Sequence, residues 1–335
     1  MASSHPATYR VAIKADNNKF EIQERQWKDP ERGQVVVKVL ASGVCHSDVM
    51  CPHGGQPGHE ICGDVVAVHE DEKKWKVGDR VGSGWHGGHC GYCLQCRRGN
   101  FSICENEYIN ALSGPGGYAE YVTLRTEGIA EVPRDMRPAD AAINMCAGVT
   151  VANGLRNVQG IRPGDVVLIS GLGGLAHLGI QFSKKSGYYT VVASRGTSKK
   201  ALAEELGADL YIDSQSQDLA AEVQKLGGAK VIMGLAPSGK AMSSLIPALA
   251  RDGTYLLLAI PEDEMSVPIL PLIGKRAKLV GWPAGSSLDA EEINKFAFNN
   301  GIKGYIQEFS LDQVDEAYAA MINGTARFRS VLVFN

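Results

Sequence analysis

The stretch GVCHSDVMCPHGGQPGHE, residues 43–60, holds two cysteines, three histidines, an aspartate and a glutamate within eighteen residues. Thiolates and imidazoles bind zinc, while carboxylates and imidazoles move protons. Residue types alone leave open which of these would ligate, which would move protons and which only shape a loop. A second cluster is less ambiguous. HCGYCLQCRRGNFSICEN spaces Cys90, Cys93, Cys96 and Cys104 as C-x2-C-x2-C-x7-C. Four thiolates on a glycine-containing loop match a tetrahedral zinc site with every position filled, a structural site that does no chemistry. Iron–sulfur clusters use other spacings. Disulfides between residues three apart would be strained.

A third pattern points to a cofactor. The run DVVLIS (165–170) leads directly into SGLGGLAHLG. Gly171, Leu172, Gly173, Gly174, Leu175 and Ala176 fit G-x-G-x-x-A at a strand-to-helix junction. The first glycine permits the tight turn, the second admits a pyrophosphate to the main chain, and the small last residue allows close helix–strand packing. The helix N-terminus then presents N–H groups to phosphate oxygens. An NAD enzyme usually carries Asp or Glu at the end of the next strand, on the ribose 2′-hydroxyl. Here that end reads VVASRGTSKK and has no acid. Ser194, Arg195 and Lys199 offer donors and positive charge, which suits a 2′-phosphate. NADP(H) is therefore the expected cofactor, with NAD(H) the alternative, because Arg195 stacked on adenine would serve either.

These groups need a scaffold. Residues 7–135 read as short strands and loops, among them VAIK, QVVVKVLA, GDVVAVH, DRVGSGW and AEYVTL. RPADAAINMCAGVTVANGLRNV then shows helical spacing. From there strand and helix alternate: DVVLIS, LAHLGIQFSKKSG, YTVVAS, SKKALAEELG, ADLYID, DLAAEVQKLG, KVIMGLA, GKAMSSLIPALA, GTYLLLAI and KLVGW. Continuous apolar strands between helices predict a doubly wound, six-stranded parallel sheet over about 160–283, an α/β architecture. The tail holds two helical patterns and a last strand, FRSVLVF, expected to pack back on the first half. The expected domains are 1–147 with 284–335, which is β-rich, and 148–283, which binds the dinucleotide.

Composition narrows the class. A net charge of −3 without a long Lys/Arg run argues against nucleic acid or an anionic membrane as partner. The longest apolar run, TYLLLAI, is too short to span a bilayer. The N-terminal MASSHPATYRVAIK lacks the apolar core of a secretory signal, so a cytoplasmic location is expected. The eight cysteines then read as ligands or free thiols.

GVCHSD, PGHE, VGDRV, the four-cysteine lobe, CAGVT and GLGGLA, in this order, make the chain resemble the zinc-containing medium-chain alcohol dehydrogenases over nearly its whole length. The resemblance implies a GroES-like catalytic domain, a Rossmann domain and an active site in the cleft between them. It implies two zincs per chain and a homodimer or homotetramer. Cys45, His59 and Cys146 match the catalytic zinc ligands. Glu60 matches a glutamate that approaches or transiently binds the metal. Asp48 matches the aspartate that orients the zinc-bound histidine, and Ser47 the hydroxyl that bonds the substrate oxygen. His46 matches a position facing the cofactor pyrophosphate, Thr150 one against the nicotinamide, and Arg329 a phosphate-binding arginine. Trp85 matches a substrate-pocket aromatic. Cys51 and Cys62 read as plain thiols, His53 as a loop histidine, His86 and His89 as solvated neighbours of the lobe, and His177 as a packing residue.

The chain departs from the family twice. Met50 stands where many members carry a proton-relay histidine, so water or His53 would complete the relay. Only eight residues, VMCPHGGQ, separate Asp48 from PGHE, fewer than usual. The expected activity is hydride transfer between NADP(H) and an alcohol, aldehyde or ketone. The rivals are reduction of a conjugated C=C or C=N bond with zinc mainly structural, and a catalytically silent zinc- and nucleotide-binding protein. The shortened loop should leave the pocket, near Met50, more open to bulky substrates. In a kinetic panel, turnover confined to short alcohols and aldehydes would contradict that.

Overall fold

The computed structural model describes residues 5–334; the first four residues of MASSHPATYRVAIK, and Asn335, lie outside them. The chain divides into two compact units, one running to Val149 and resuming at Ala284, the other Thr150–Pro283. No helix among the described residues is long and apolar enough to cross a membrane.

The second unit is a parallel six-stranded sheet. Its order is Leu210–Asp213, Tyr189–Ser194, Val166–Ser170, Ala229–Gly234, Leu249–Leu257 and Lys278–Gly281. The order reverses direction between Val166–Ser170 and Ala229–Gly234, which pair through Val167↔Val231 and Leu168↔Ile232. A crevice opens at such a reversal, outside the carboxyl ends of the strands, and the glycine loop leaves from one of those ends. Val167, Leu168 and Ile169 are wholly buried because helices cover both faces, and this is why the strand reads as an unbroken apolar run. The edge strand Lys278–Gly281 is only partly buried.

One expected helix is shorter than its pattern. GKAMSSLIPALA yields the helix Gly239–Ser243 and a 3-10 turn Ile246–Ala248 containing Pro247. The following strand then starts early, at Leu249, and shifts register against Ala229–Gly234. Asp252, at φ 56°, takes up the irregularity in a left-handed conformation that aspartate tolerates better than most side chains.

The first unit is built on a mixed sheet. Its path runs Ile306–Phe309, Arg329–Val333, Gln34–Gly43, Glu60–Val68, Arg80–Ser83 and Ile129–Glu131, with Tyr121–Arg125 also paired to Gln34–Gly43. Val35, Val37, Val39, Ile61, Val81 and Val122 form one core against this sheet. The C-terminal strand lies second on this path, Val331 opposite Gly43, and Gly43 in turn faces Glu60. A side chain at Gly43 would collide with the Glu60 carboxylate, so this glycine makes room for the glutamate to lie across the strand. A hairpin, Thr8–Lys14 with Phe20–Gln26, flanks the sheet. Its second strand, FEIQERQ, is mostly exposed and charged and lacks the apolar alternation that marked the other strands.

The buried centre of the parallel sheet sets the stability of the second unit. Leu168→Ala should destabilise it by about 2–5 kcal/mol through the cavity left between the helical layers. A loss below about 1 kcal/mol in chemical denaturation would show that Leu168 is not part of a close-packed core.

Candidate functional site

Three separate segments of the first unit bring ligand atoms together. Cys45 follows the strand Gln34–Gly43 and caps a short 3-10 turn, His46–Met50. His59 immediately precedes the strand Glu60–Val68. Cys146 lies in a π-helical segment, Asn144–Gly148, between the helices Pro138–Ile143 and Val149–Arg156. The wider π-turn is a recurrent device at functional sites, and here it carries the third ligand atom. Cys45, His59, Glu60 and Cys146 place one ligand atom each within 4.8 Å of one another.

The geometry suits a metal. Two thiolates at about 2.3 Å from one tetrahedral zinc stand about 3.8 Å apart. The Cys45 and Cys146 sulfurs are 3.9 Å apart. His59 donates from Nδ1 to Asp48 Oδ1 at 2.9 Å, which leaves Nε2 as the free lone pair. That Nε2 is buried and has no hydrogen-bond partner. A buried imidazole nitrogen without a partner is costly unless something ligates it. The hydrogen bond from Cys146 holds the Cys45 thiol well below the ordinary thiol range, and His59 and Arg329 act in the same direction against the effect of burial. The set favours a thiolate, the form that binds metal.

Asp48 is 1% exposed and is surrounded by donors. Besides His59, it accepts from the Cys45 main chain at 2.9 Å, the Gly58 main chain at 3.3 Å and the Tyr118 hydroxyl at 2.8 Å. Tyr118 was not singled out in the sequence. Nothing near AEYVTL marks it, and only its fully buried hydroxyl aimed at a carboxylate reveals the role. The Trp85 ring stands edge-on to the His59 ring at 5.2 Å. Ser47 is half-buried, whereas His46 and Met50 are exposed.

Arg329 is paired with Glu60: its buried Nη2 contacts both Glu60 carboxylate oxygens at 2.5 Å. Burial pushes Glu60 up to about 7, with Arg329 pulling the other way. Glu60 thus stays beside the ligand cluster but is tied to a cation of its own.

The four-cysteine lobe is equally well formed. Its sulfurs lie 4.0 Å (Cys90–Cys96), 3.9 Å (Cys93–Cys104) and 3.6 Å (Cys90–Cys104) apart, again the edges of a zinc tetrahedron. Backbone N–H groups of Cys90, Cys93, Cys96 and Asn106 point at these sulfurs at 3.3–3.4 Å and stabilise thiolates. His86 departs from expectation. It is buried, not solvated, and bridges Glu107 at 2.8 Å and His89 at 3.3 Å. His89 stacks on Phe101, which anchors the lobe. His53 pairs with Asp16 at 3.1 Å in an exposed position outside the cluster. Burial raises Cys51 to about 11 and Cys62 to about 12, which favours the protonated thiol at both.

In the second unit, Gly171 adopts φ 85°, which a glycine reaches without strain. A side chain at Gly173 would meet nothing within 4 Å, so the approach to the main chain before the helix Ala176–Lys185 is open. Gly174 and Leu175 complete the loop, and His177 is buried in the first turn. Lys199 donates from Nζ to the Leu172 carbonyl at 3.0 Å, which brings its charge to the loop. Ser194 ends its strand half-buried and Arg195 is exposed beside it. Asp213, the register partner of Ser194 on the neighbouring strand, is occupied by the main chains of Gln215 at 3.0 Å and Gly196 at 2.7 Å and by the Ser216 hydroxyl at 2.8 Å. Thr150 is buried at the start of this unit.

Residues 31–134 match the alcohol dehydrogenase GroES-like domain family and residues 174–299 the zinc-binding dehydrogenase family. Alcohol dehydrogenase patD of Penicillium expansum is 43% identical over 340 residues, covering 99% of each chain. The solved acetophenone reductase of Geotrichum candidum, in complex with NAD, superposes with a TM-score of 0.87 at 24% identity, covering 99% of this chain and 98% of that one. A CAD from Helicobacter pylori complexed with NADP(H) gives 0.85 at 22%, covering 97% of each. The chain therefore belongs to the zinc-containing medium-chain alcohol dehydrogenase family, enzymes with a GroES-like and a Rossmann-type domain.

Asp48→Asn leaves the shape intact but replaces an acceptor oxygen or its charge where His59 needs both. Metal affinity at the Cys45–His59–Cys146 cluster should fall about 10- to 100-fold, measured by competition with a chelator. Retention of parental affinity would remove Asp48 from the site.

Proposed function

We propose that the protein is a zinc-dependent, NADP(H)-preferring alcohol dehydrogenase or aldehyde reductase. The observation that carries this reading is the buried convergence of the Cys45 and Cys146 sulfurs with the unpartnered His59 Nε2. Two thiolates and one neutral imidazole neutralise Zn²⁺ and leave a fourth position for substrate. In this reading the first unit is the catalytic domain and the second binds the dinucleotide. The four-cysteine lobe holds a second, structural zinc.

Bound there, the metal supplies Lewis-acid polarisation of a carbonyl, and the nicotinamide supplies the hydride. The protein's own groups supply position and protons. Cys45, His59 and Cys146 would hold the metal. Asp48 keeps the His59 proton on Nδ1 and so keeps Nε2 basic. The Ser47 hydroxyl donates to the substrate oxygen as charge builds on it, and Trp85 walls the same side. Glu60, held by Arg329, places a carboxylate behind the ligands, and proton exchange onward past Met50 falls to water. By the resemblance to the family, His46 would serve the cofactor pyrophosphate and Thr150 the nicotinamide. The engaged Asp213 and the charges of Arg195 and Lys199 support a 2′-phosphate over a free ribose hydroxyl.

A metal count with parallel NADPH and NADH titrations tests the reading. Two zincs per chain, tighter NADPH, and an alcohol as the product of an aldehyde are expected. Cys146→Ala should abolish turnover while keeping one zinc, and Arg195→Ala should weaken NADPH far more than NADH. A saturated carbonyl as product would point instead to reduction of a conjugated double bond. One zinc in the parent protein would overturn the catalytic site.

A further inference from the structure

Lys14 is 3% exposed, an unusual burial for a lysine. It ends the first strand of the hairpin, Thr8–Lys14, far in sequence from every residue assigned a role above. No carboxylate pairs with its Nζ among the described residues. The Nζ instead points at three main-chain carbonyls: Val49 at 2.8 Å, Cys51 at 3.0 Å and, more loosely, Asp48 at 3.5 Å. Three acceptors match the three protons of an ammonium. The main chain of the same residue grips the other end of the shortened loop. Lys14 N–H donates to the Gly55 carbonyl at 2.9 Å, and its carbonyl accepts from Gly54 at 2.8 Å.

We propose that Lys14 is a positioning residue for the reaction: its ammonium clamps the C-terminal carbonyls of the His46–Met50 turn and thereby fixes Ser47 and Asp48. The inference rests on the function proposed above. A single 3-10 turn has too few internal hydrogen bonds to hold its own shape. Its side-chain anchor, Asp48, bonds to His59, Cys45, Gly58 and Tyr118. Lys14 secures the main chain of the same turn. The ammonium is buried without a counter-ion because the oriented carbonyl dipoles replace its lost hydration. The short 49–56 loop is then held rather than slack. With both ends tied to one residue, eight residues suffice to carry the chain from the turn to His59.

The test compares Lys14→Met, which keeps the stem and removes the charge, with Lys14→Arg, which restores a cation. In the zinc-loaded protein, amide exchange of residues 46–51 should quicken about tenfold in Lys14→Met, the equivalent of one charge-assisted hydrogen bond lost. Exchange in Val166–Ser170 should stay unchanged. With an aldehyde substrate, kcat should drop about 10- to 100-fold at constant NADPH affinity and constant zinc content. In a Ser47→Ala background, Lys14→Met should cost little more, because the lysine acts through that turn; Lys14→Arg should recover part of the rate. Unchanged exchange at 46–51, a parental kcat, or full additivity with Ser47→Ala would overturn the proposal. If Lys14→Met does not fold, Lys14→Gln takes its place under the same criteria. The exchange measurement stands even if the parent reduces no aldehyde. Loss of turnover in Cys146→Ala is scored separately, so failure of the zinc reading and failure of the clamp are distinguishable.

Discussion

The buried carboxylate of Asp48 is the interaction on which the rest of the site depends. A carboxylate at 1% exposure has lost its water and must find donors inside the protein. Four donors hold it: the His59 ring, the main chains of Cys45 and Gly58, and the Tyr118 hydroxyl. The donors come from three pieces of chain: Cys45 just past the end of a central strand, Gly58 and His59 immediately ahead of the next strand, and Tyr118 about sixty residues further on. One small group thus registers them all. It also sets the His59 tautomer, and this turns a buried histidine into a lone pair aimed at two sulfurs.

The two cysteine clusters reach the same sulfur spacings by different means. The lobe is local: its four cysteines fall within fifteen residues, and short-range N–H···S bonds shape it. It needs little from the rest of the molecule beyond the His86–Glu107 and His89–Phe101 contacts that seat it. The other cluster is wholly non-local. Cys45 and Cys146 are separated by 101 positions, and they meet because a π-turn and a strand end are packed on one sheet. The Glu60–Arg329 pair extends that dependence to the last strand, which lies beside Glu60 only through its pairing with Gln34–Gly43. A cluster drawn from separate segments needs this kind of support, since nothing in any one segment holds the four groups at a set distance.

Much of the architecture was readable because it is periodic. Continuous apolar strands and intervening helices identify the parallel sheet, and the glycine loop sits at its order reversal. The reading weakened where local pattern and tertiary demand part. FEIQERQ has no buried face to advertise and still forms a strand, because its partner supplies the hydrogen bonds. GKAMSSLIPALA has helical spacing but is cut at Pro247 and by the demand for a longer neighbouring strand. His86 looks like a solvated neighbour of the lobe, yet Glu107 and His89 give its ring partners in the interior.

By itself, the sequence determined the residue types and spacings of both cysteine sets, the glycine loop, and the missing acid after the second strand of the parallel sheet. These are short-range patterns in which chemistry and spacing are visible together. Tertiary structure alone decided which groups face one another. It directed Arg329 to Glu60, Tyr118 to Asp48, and the Lys14 ammonium to three carbonyls of a turn thirty-odd residues away. Such pairings follow from strand register and burial. A buried polar group must find a partner wherever the fold places one, and no local pattern records where that is.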